Sequence, residues 1–494
     1  MKKSCKFIKN SFVFMLTFIM AFSSMTFAVC NTAYAEENND VYITYNKELY
    51  DSNKELCDRL ADGMNNFSEQ IYIGDFHITG KETMRYILKT VLRKHPELFY
   101  IDPTKYMLGS DGTYIAVICP IYLCDIQTAQ KQIDAFNAKC DKYLEKIDGS
   151  MTEFEKAVVL HDELVLNCKY LDEDGTGHVS AYEAIVNGKT NCQGYAEAYS
   201  YLLSLAGVHS EIVESSAMYH LWNKVRISNV YYNVDLTWDD PMPDKTGHVS
   251  HKYFLLSDSA ISSGNDDISA HYGFDYAYYK SNSTKFDNCL FREIDTQFCF
   301  VDNDCYAIDN KYQSQYERCL LKYNTKSDTA TVIKKFDFRW KSGTKSFWKG
   351  GYMSLAEHSG LLYFNSSDCI YSYDVKKDTM EEFAKVDTSS GNCYGLKVSD
   401  NMVYAAVSST PNVELTTKFS GECIENSIVT THNSIKGDVN GDGILSIADV
   451  TEIQKYASGA SKLTDSLLKA ADYNNDGIVN IADATEIQKF MVSS

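Results

Sequence analysis

Three side chains that could act together in acyl transfer occur in the order Cys192, His220 and Asp235. A thiolate can attack an acyl carbon, an imidazole can take and return the proton, and a carboxylate can fix the tautomer of the imidazole. The residue types and their order therefore predict nucleophilic catalysis by a thiol, although spacing alone does not establish it.

The pattern around Cys192 places this thiol at the start of a helix. Asn191 is a favourable N-cap residue, and residues 192–203 have the pattern of the helix that follows. The partial positive charge at a helix N-terminus stabilises a thiolate, and the backbone amide of Cys192 could donate to a developing oxyanion. We therefore expect Cys192 in the first helical turn.

The two partners of the thiol are expected on neighbouring strands. Residues 220–227 and 231–238 have strand patterns. If these strands pair, His220 and Asp235 lie side by side and face the helix that carries Cys192.

Other aromatic and imidazole side chains of this region have simpler explanations. We expect Trp222 and Trp238 to form walls or core, and His161, His209 and His251 to be structural or surface residues.

Residues from about 150 to 275 resemble the transglutaminase-like superfamily of papain-type enzymes. The matching segments are NCQGYA around Cys192, HLWN from His220 and YYNVDLTWDDP around Asp235. The resemblance implies an α+β core with Cys192 as nucleophile, His220 as general base and acid, and Asp235 as orienting carboxylate. Tyr182 is a candidate for a second oxyanion donor. Bacterial members include peptidases, amidases and cross-linking enzymes, so the acceptor of the acyl group stays open.

Two acidic twelve-residue loops, 438–449 and 472–483, repeat near the C-terminus. Oxygen ligands at positions 1, 3, 5, 7, 9 and 12, with Gly at position 6 for the sharp turn, are the EF-hand-like pattern for a hard cation. We expect two Ca²⁺ ions. The candidate ligands are Asp438, Asn440, Asp442, Ile444, Ser446 and Asp449, and Asp472, Asn474, Asp476, Ile478, Asn480 and Asp483.

Residues 435–494 closely resemble the type I dockerin family. Each loop ends in Asp rather than Glu, no helix of normal length precedes either loop, and the helix sequence TEIQK follows both. The resemblance implies a small all-α calcium-binding domain that binds a cohesin domain of a scaffold protein, as in cellulosomes. The implied cohesin contacts are Ile447, Ala448, Gln454, Lys455, Ile481, Ala482, Gln488 and Lys489.

The N-terminal 35 residues have the pattern of a secretory signal peptide. Four lysines precede an apolar run over 12–22, and Ala33-Tyr34-Ala35 offers small residues at the cleavage site. We expect cleavage after Ala35, secretion, and no membrane span in the mature chain. Since secretion permits disulfides, the pairing of the 15 cysteines stays open.

Charge and composition exclude one class of partner. With 47 Lys plus Arg against 67 Asp plus Glu, the formal net charge is −20, which argues against nucleic acid as the main partner. The hydrophobic fraction of 44% is typical of a globular protein.

We expect a multidomain chain with an all-β propeller-like module after the catalytic domain. Residues 319–329 align with 369–379 at an offset of 50, a period that propeller blades show, although about three units fit and closed propellers need more. The expected divisions are a signal peptide (1–35), an N-terminal α/β region (36–145), a transglutaminase-like catalytic domain (146–280), the β-rich module (285–425), a linker (426–434) and the dockerin (435–494).

These features favour a secreted cysteine peptidase or amidase that acts on protein substrates and is attached to a scaffold through its dockerin. Hydrolysis is favoured over cross-linking because water is the default acceptor at an open, secreted site. Two alternatives are an inactive binding or structural subunit and a role in polysaccharide degradation. No convincing carboxylate pair of the glycosidase kind is visible in the sequence.

Overall fold

The protein is described by a computed structural model. The described residues are 33–34, 47–171, 179–265, 267–274, 279–310, 318–348, 351–389, 391–399, 402–411, 427–429, 436–437, 439, 445–461, 463, 468, 470–474 and 476–493. The expected signal peptide lies outside this set except for Ala33 and Tyr34, and the expected linker lies outside it except for residues 427–429.

The N-terminal region packs helices against one antiparallel sheet. The sheet has the order β1-β3-β4-β2, and the apolar faces of α2 and α3 share its core. Helix α4 begins where the Asp125 carboxylate accepts the backbone N–H groups of Gln127 and Thr128. The elements are α1 (Lys47–Ser52), α2 (Lys54–Asn65), α3 (Lys81–Lys94), α4 (Ile126–Leu144), β1 (Ala33–Tyr34), β2 (Ile71–Tyr72), β3 (Ile101–Ser110) and β4 (Ile115–Tyr122).

The region that carries the candidate catalytic residues packs two helices against a three-stranded antiparallel sheet of order β7-β8-β9. Its long helices have satisfied N-termini: Thr152 and Glu155 form a capping box on α5, and Asn191 caps α6. The elements are α5 (Glu153–Asn167), α6 (Cys192–Leu205), α7 (Leu236–Asp239), α8 (Asp258–Ser263), β5 (Lys169–Tyr170), β6 (Lys189–Thr190), β7 (Ser210–Ser215), β8 (His220–Ile227) and β9 (Val230–Val234).

The strand expected over 231–238 is shorter than predicted. Strand β9 ends at Val234, and α7 begins at Leu236. The reason is Asp235, whose side chain accepts the backbone N–H groups of Thr237 and Trp238 and so caps a helix. Asp is among the best N-cap residues, and this local preference overrides the alternating pattern of the strand.

The start of α6 is fixed by a close approach at Gly194. A Cβ at this position would lie 1.9 Å from Thr190 Oγ1 and 2.8 Å from the Ser180 carbonyl oxygen. Only glycine therefore lets the first turn of α6 pack against the preceding loop, which positions Cys192.

Antiparallel sheets make up the β-rich region. It contains two four-stranded sheets, β10-β11-β12-β13 and β16-β17-β18-β19, a three-stranded sheet β20-β21-β22 and the pair β14-β15. The strands are β10 (Cys299–Val301), β11 (Asp304–Asp309), β12 (Arg318–Asn324), β13 (Thr329–Phe336), β14 (Lys341–Ser342), β15 (Ser346–Phe347), β16 (Leu355–His358), β17 (Leu361–Asn365), β18 (Cys369–Asp374), β19 (Thr379–Lys385), β20 (Asn392–Ser399), β21 (Met402–Ser408) and β22 (Ser427–Val429).

The sequence repeat of this region corresponds to equivalent structure. In each four-stranded sheet the repeat spans the third strand and the turn into the fourth. The Tyr323 hydroxyl donates to Asp328 in one turn, and the Tyr373 hydroxyl donates to Asp378 in the other. No closed barrel or propeller is detected among the described residues, so the propeller-like module stays a prediction.

The core does not stop at the division expected near residue 280. One apolar cluster contains Phe154 on α5, Tyr199 on α6, Phe291, and Leu321 on β12. The first β-sheet of the β-rich region therefore packs on the helices that carry the candidate site. No helix in the described ranges is long and apolar enough to cross a membrane.

The C-terminal region contains α9 (Ile447–Ala457) and α10 (Ile481–Ser493), which pack on each other through an apolar seam. The seam is formed by Val450, Ile453, Ala484 and Ile487, all buried. This spacing leaves one face of each helix in solvent.

Candidate active site

The thiol of Cys192 stands at the first residue of α6, as the sequence pattern predicts. The Asn191 side chain accepts the Gln193 N–H at 3.0 Å and so caps the helix. Cys192 is 5% exposed, in a small apolar cluster with Ala196, Ile212 and Leu221. The thiol therefore stands beside the backbone N–H groups that begin α6.

The structure brings the other two predicted residues to this thiol. His220 is the first residue of β8, and its Nε2 lies 2.6 Å from Asp235 Oδ2. The thiol of Cys192 interacts with the same imidazole and contributes to the rise in its pKa. Because Nε2 contacts the carboxylate, Nδ1 is the ring nitrogen left for the thiol. The order thiol, imidazole, carboxylate is the arrangement used in nucleophilic catalysis.

Charge–charge contacts shift the titration of both partners. Burial alone would lower the pKa of His220, but the charge and hydrogen bond of Asp235, followed by those of Cys192, raise this pKa to about 10. Burial would raise the pKa of Asp235, but His220 and a second imidazole, His271, hold it well below its usual range. The two shifts have opposite directions, and both favour an imidazolium bonded to a carboxylate.

His271 is a contact of the site that the sequence did not reveal. Its Nε2 lies 2.8 Å from Asp235 Oδ2, the oxygen that also contacts His220. The residue stands in the loop after α8 and is fully buried. No motif links a histidine to a carboxylate 36 residues earlier in the chain, so only the fold could disclose the pair.

Aromatic rings enclose the two imidazoles, as expected for Trp222 and Trp238. The Trp222 ring stacks on His220 at 5.7 Å between centroids and meets His271 edge-on at 4.9 Å. Trp238 lies 5.6 Å from His220 and 4.4 Å from His271. The rings keep water from the buried side of the carboxylate.

Tyr182, the candidate for a second oxyanion donor, packs its ring against Phe99 at 4.6 Å and against Phe136 at 6.5 Å. Its role as a donor stays a prediction. The Gln193 side-chain amide, next to the thiol, donates to Glu197 at 2.9 Å.

In the second acidic loop near the C-terminus, backbone N–H groups donate to two of the predicted carboxylate ligands. Asp472 accepts the N–H groups of Asp476 at 3.0 Å and Gly477 at 2.9 Å. The buried Asp483 accepts the N–H groups of Asn474 at 3.1 Å and Asn480 at 2.9 Å. This donor set, rich in carboxylate and amide oxygens, fits a hard cation such as Ca²⁺.

The first loop is described only in part. Asp449 accepts the N–H groups of Val439 and Ser446, both at 2.8 Å, which parallels Asp483 in the second loop. The predicted ligands Asp438, Asn440, Asp442 and Ile444 lie outside the described residues.

The predicted cohesin contacts fall on the solvent face of the two helices. Ile447 is 61% exposed and Ile481 is 56% exposed, which is unusual for isoleucine. The other exposed members are Ala448, Gln454, Lys455, Ala482 and Lys489, and Gln488 is half-buried.

Family models match the two parts of the chain that hold these sites. Residues 141–236 match the transglutaminase-like superfamily, and residues 436–491 match the dockerin type I domain. The chain contains a transglutaminase-like domain and a type I dockerin domain. Type I dockerins bind calcium and cohesin domains.

Comparison with solved structures gives a distant similarity. A structure titled "Crystal structure of a TGase" is 10% identical, with 32% of this chain and 48% of that chain covered and a TM-score of 0.20. The chain thus spans about half the length of that protein. No curated protein matches this chain.

A second buried network supports the transglutaminase-like domain beside the candidate triad. His161 Nδ1 lies 2.9 Å from Asp162 Oδ1, and its Nε2 lies 3.2 Å from Asp239 Oδ2 in α7. His251 Nε2 contacts the same Asp162 oxygen at 2.9 Å. Burial would lower the pKa of His161, but Asp162 and Asp239 raise it to about 9. His161 and His251 therefore lie in a buried ion network, and the side chain of His209 is 42% exposed.

Both histidine clusters have the spacing of potential metal ligands. The ligand atoms of His161, Asp162 and His251 lie within 4.8 Å of one another, as do those of the His220 cluster. Both nitrogens of His161 face carboxylates, so a protonated ring satisfies every contact without an ion.

Proposed function

We propose that the chain is a secreted cysteine hydrolase, a peptidase or amidase, that is attached to a scaffold protein by its dockerin. The observation that carries the catalytic part is the hydrogen bond between His220 and Asp235, with the Cys192 thiol at a helix N-terminus where it interacts with the same imidazole. The dockerin carries the attachment and, with it, an extracellular location in a cellulosome-like complex.

The proposed reaction has two steps. Cys192 Sγ attacks the carbonyl carbon of the substrate, and His220 gives its proton to the leaving amine, so that a thioester forms and the C–N bond breaks. Water then attacks the thioester while His220 takes one of its protons, which releases the acid and restores the Cys192 thiolate beside the protonated ring. The backbone N–H of Cys192 is the proposed first donor to the oxyanion.

The role of Asp235 follows from its charge. It holds His220 by Nε2, presents Nδ1 to the thiol, and stabilises the imidazolium that exists before amine release. A His220 pKa of about 10 keeps the ring protonated at neutral pH. This ring is therefore poised as the acid of the first step.

The test measures peptide release from a fluorescent casein by the full-length protein in calcium. We expect Cys192→Ala and His220→Ala each to lower the rate by about 10³-fold or more, since members of such a triad act as a unit. Cys124→Ala, which changes a half-buried thiol in the N-terminal region, is the matched control. Amine incorporation that exceeds peptide release would favour a transglutaminase instead.

Selective alkylation of Cys192 provides a test that needs no substrate. Burial raises the pKa of the thiols of Cys57, Cys168, Cys289 and Cys393 to about 12. Iodoacetamide reacts with thiolates, so it should spare these four at neutral pH. We expect rapid alkylation of Cys192 that depends on His220.

A binding or structural subunit without catalysis is the second candidate. The observation that favours it is the 5% exposure of Cys192, which leaves little room for a substrate carbonyl at the thiol. Equal alkylation of Cys192 in the wild type and in His220→Ala, with no casein cleavage, would support this second function.

A further inference from the structure

We infer that His271 is a positioning residue of the proposed catalytic site, because it holds the Asp235 carboxylate in the orientation that His220 requires. The inference rests on the proposed function and adds a residue outside the segment that matches the transglutaminase-like superfamily, which ends at residue 236. The contact that carries it is the 2.8 Å distance between His271 Nε2 and Asp235 Oδ2.

The hydrogen bonds of Asp235 leave its carboxylate one orientation. Oδ1 accepts the backbone N–H groups of Thr237 at 3.0 Å and Trp238 at 3.4 Å. Oδ2 accepts His220 at 2.6 Å and His271 at 2.8 Å. A carboxylate offers about four acceptor positions, so all of them are used. Any rotation that improves one contact breaks another.

His271 is itself held in place. Its backbone N–H donates to the Ile261 carbonyl at 2.8 Å. The ring packs against Trp222 and Trp238 and is fully buried. Because a carboxylate can only accept, Nε2 carries the hydrogen in the contact with Asp235.

The second imidazole also shapes the charge on the carboxylate. Two donors on one oxygen share its electron density, so His271 weakens the hold of Asp235 on the His220 proton. Without His271, the buried carboxylate would have one unsatisfied acceptor and would bind the His220 proton more strongly. The titratable groups that face this centre are His220 on β8, Tyr253, Asp239 in α7 and Cys192 on α6.

Two substitutions separate positioning from packing. His271→Phe keeps a ring among the tryptophans but removes the donor. His271→Gln removes the ring but keeps an amide N–H that can reach Asp235. If His271 acts through its hydrogen bond, Phe is harmful and Gln is tolerated, whereas a packing role gives the opposite order.

The experiment measures the rate of Cys192 alkylation by iodoacetamide from pH 5 to 10 in the full-length, calcium-bound protein. The Cys192 peptide is quantified by mass spectrometry. We expect His271→Phe to slow alkylation at pH 7 by about 10- to 100-fold, which is the usual effect of losing a residue that supports a functional site without touching the reacting atoms. In the plot of alkylation rate against pH, the change on the alkaline side should move to higher pH. His271→Gln should recover most of the rate, and His209→Phe, at an exposed histidine, is the control.

A double-mutant cycle tests the route of the effect. If His271 acts through Asp235, then Asp235→Asn combined with His271→Phe is no slower than Asp235→Asn alone. A folded His271→Phe variant with the wild-type rate and pH profile would overturn the inference. If this variant does not fold, His271→Asn, whose amide is too short to reach the carboxylate, takes its place.

The outcome for the proposed function can be separated from the outcome for His271. Equal alkylation in the wild type and in His220→Ala removes the proposed function and the inference together. Slow alkylation in His220→Ala, with normal alkylation in His271→Phe, removes only the inference.

Discussion

His161 offers a stability prediction whose size follows from its surroundings. Its two ring nitrogens face the buried carboxylates of Asp162 and Asp239, and these charges raise its pKa to about 9 from an ordinary 6.5. At about 1.4 kcal/mol per pKa unit, the difference corresponds to about 3 kcal/mol in favour of the folded state. His161→Gln removes the charge and leaves two carboxylates without this cation.

The sign of the pH dependence follows from the direction of the shift. The folded-state pKa of His161 lies above its unfolded value, so its contribution is fully present below pH 6.5. It is lost as the pH rises to about 9. We therefore expect His161→Gln to lower the free energy of unfolding by about 3 kcal/mol at pH 6.5, and the difference from wild type to shrink towards pH 9.5.

Urea unfolding of the full-length protein at pH 6.5, 7.5, 8.5 and 9.5 measures this difference. Trp222 and Trp238 flank the site, so tryptophan fluorescence reports the unfolding of this region. The contribution of His220 is common to both proteins and cancels. His209→Gln, which changes an exposed ring 3.3 Å from Glu211, should shift stability by about 0.5 kcal/mol or less. A pH-independent difference between wild type and His161→Gln would refute the reasoning.

Three further predictions concern the dockerin helices and the elements around the candidate active site. Chelation of calcium should reduce the far-UV circular dichroism of α9 and α10 and abolish cohesin binding. The reason is that the carboxylates of Asp472, Asp476 and Asp483 repel one another without a cation. An unchanged spectrum and retained binding would contradict this prediction. Gly194→Ala should cost about 1–3 kcal/mol in urea unfolding, because its Cβ would lie 1.9 Å from Thr190 Oγ1; wild-type stability would mean that the loop yields freely. Arg292→Met should cost about 3 kcal/mol or more in the same assay, because it leaves several buried carbonyls unpaired; Arg339→Met, at an exposed arginine, is its control.

Local patterns predicted the elements whose formation depends on neighbouring residues. The N-cap of Asn191 and the helix start at Cys192 are visible in sequence because a cap needs only the next few residues. The same physics explains an error, since the strand expected to run through Trp238 stops where Asp235 caps α7. Asp235 both caps α7 and contacts His220, and the sequence around it carries no pattern that distinguishes these two roles.

The sequence did not predict contacts between residues that are far apart in the chain. His271 joins Asp235 only because the loop after α8 returns to β7, where Phe274 bridges Ser215, and several other histidines had equal claims. His161 was expected to be a structural or surface residue, and its carboxylate partner Asp239 was not foreseen. Hydrophobic periodicity fixes which face of an element is buried, and it does not say which polar groups meet there.

The extent of the candidate site also differs from the extent of the recognised family segment. Residues 141–236 contain the three proposed catalytic residues. Two histidines that donate to carboxylates of this segment come from the chain after residue 250: His271 donates to Asp235, and His251 donates to Asp162. Arg292 fixes this later segment, because its guanidinium donates to the carbonyls of His251, Lys252 and Leu255. A buried carboxylate such as Asp235 is stable only when its acceptor positions are filled. The later segment must therefore fold with the earlier one before His220 can be held at the thiol, and a division of the chain near residue 280 would cut through the support of the site.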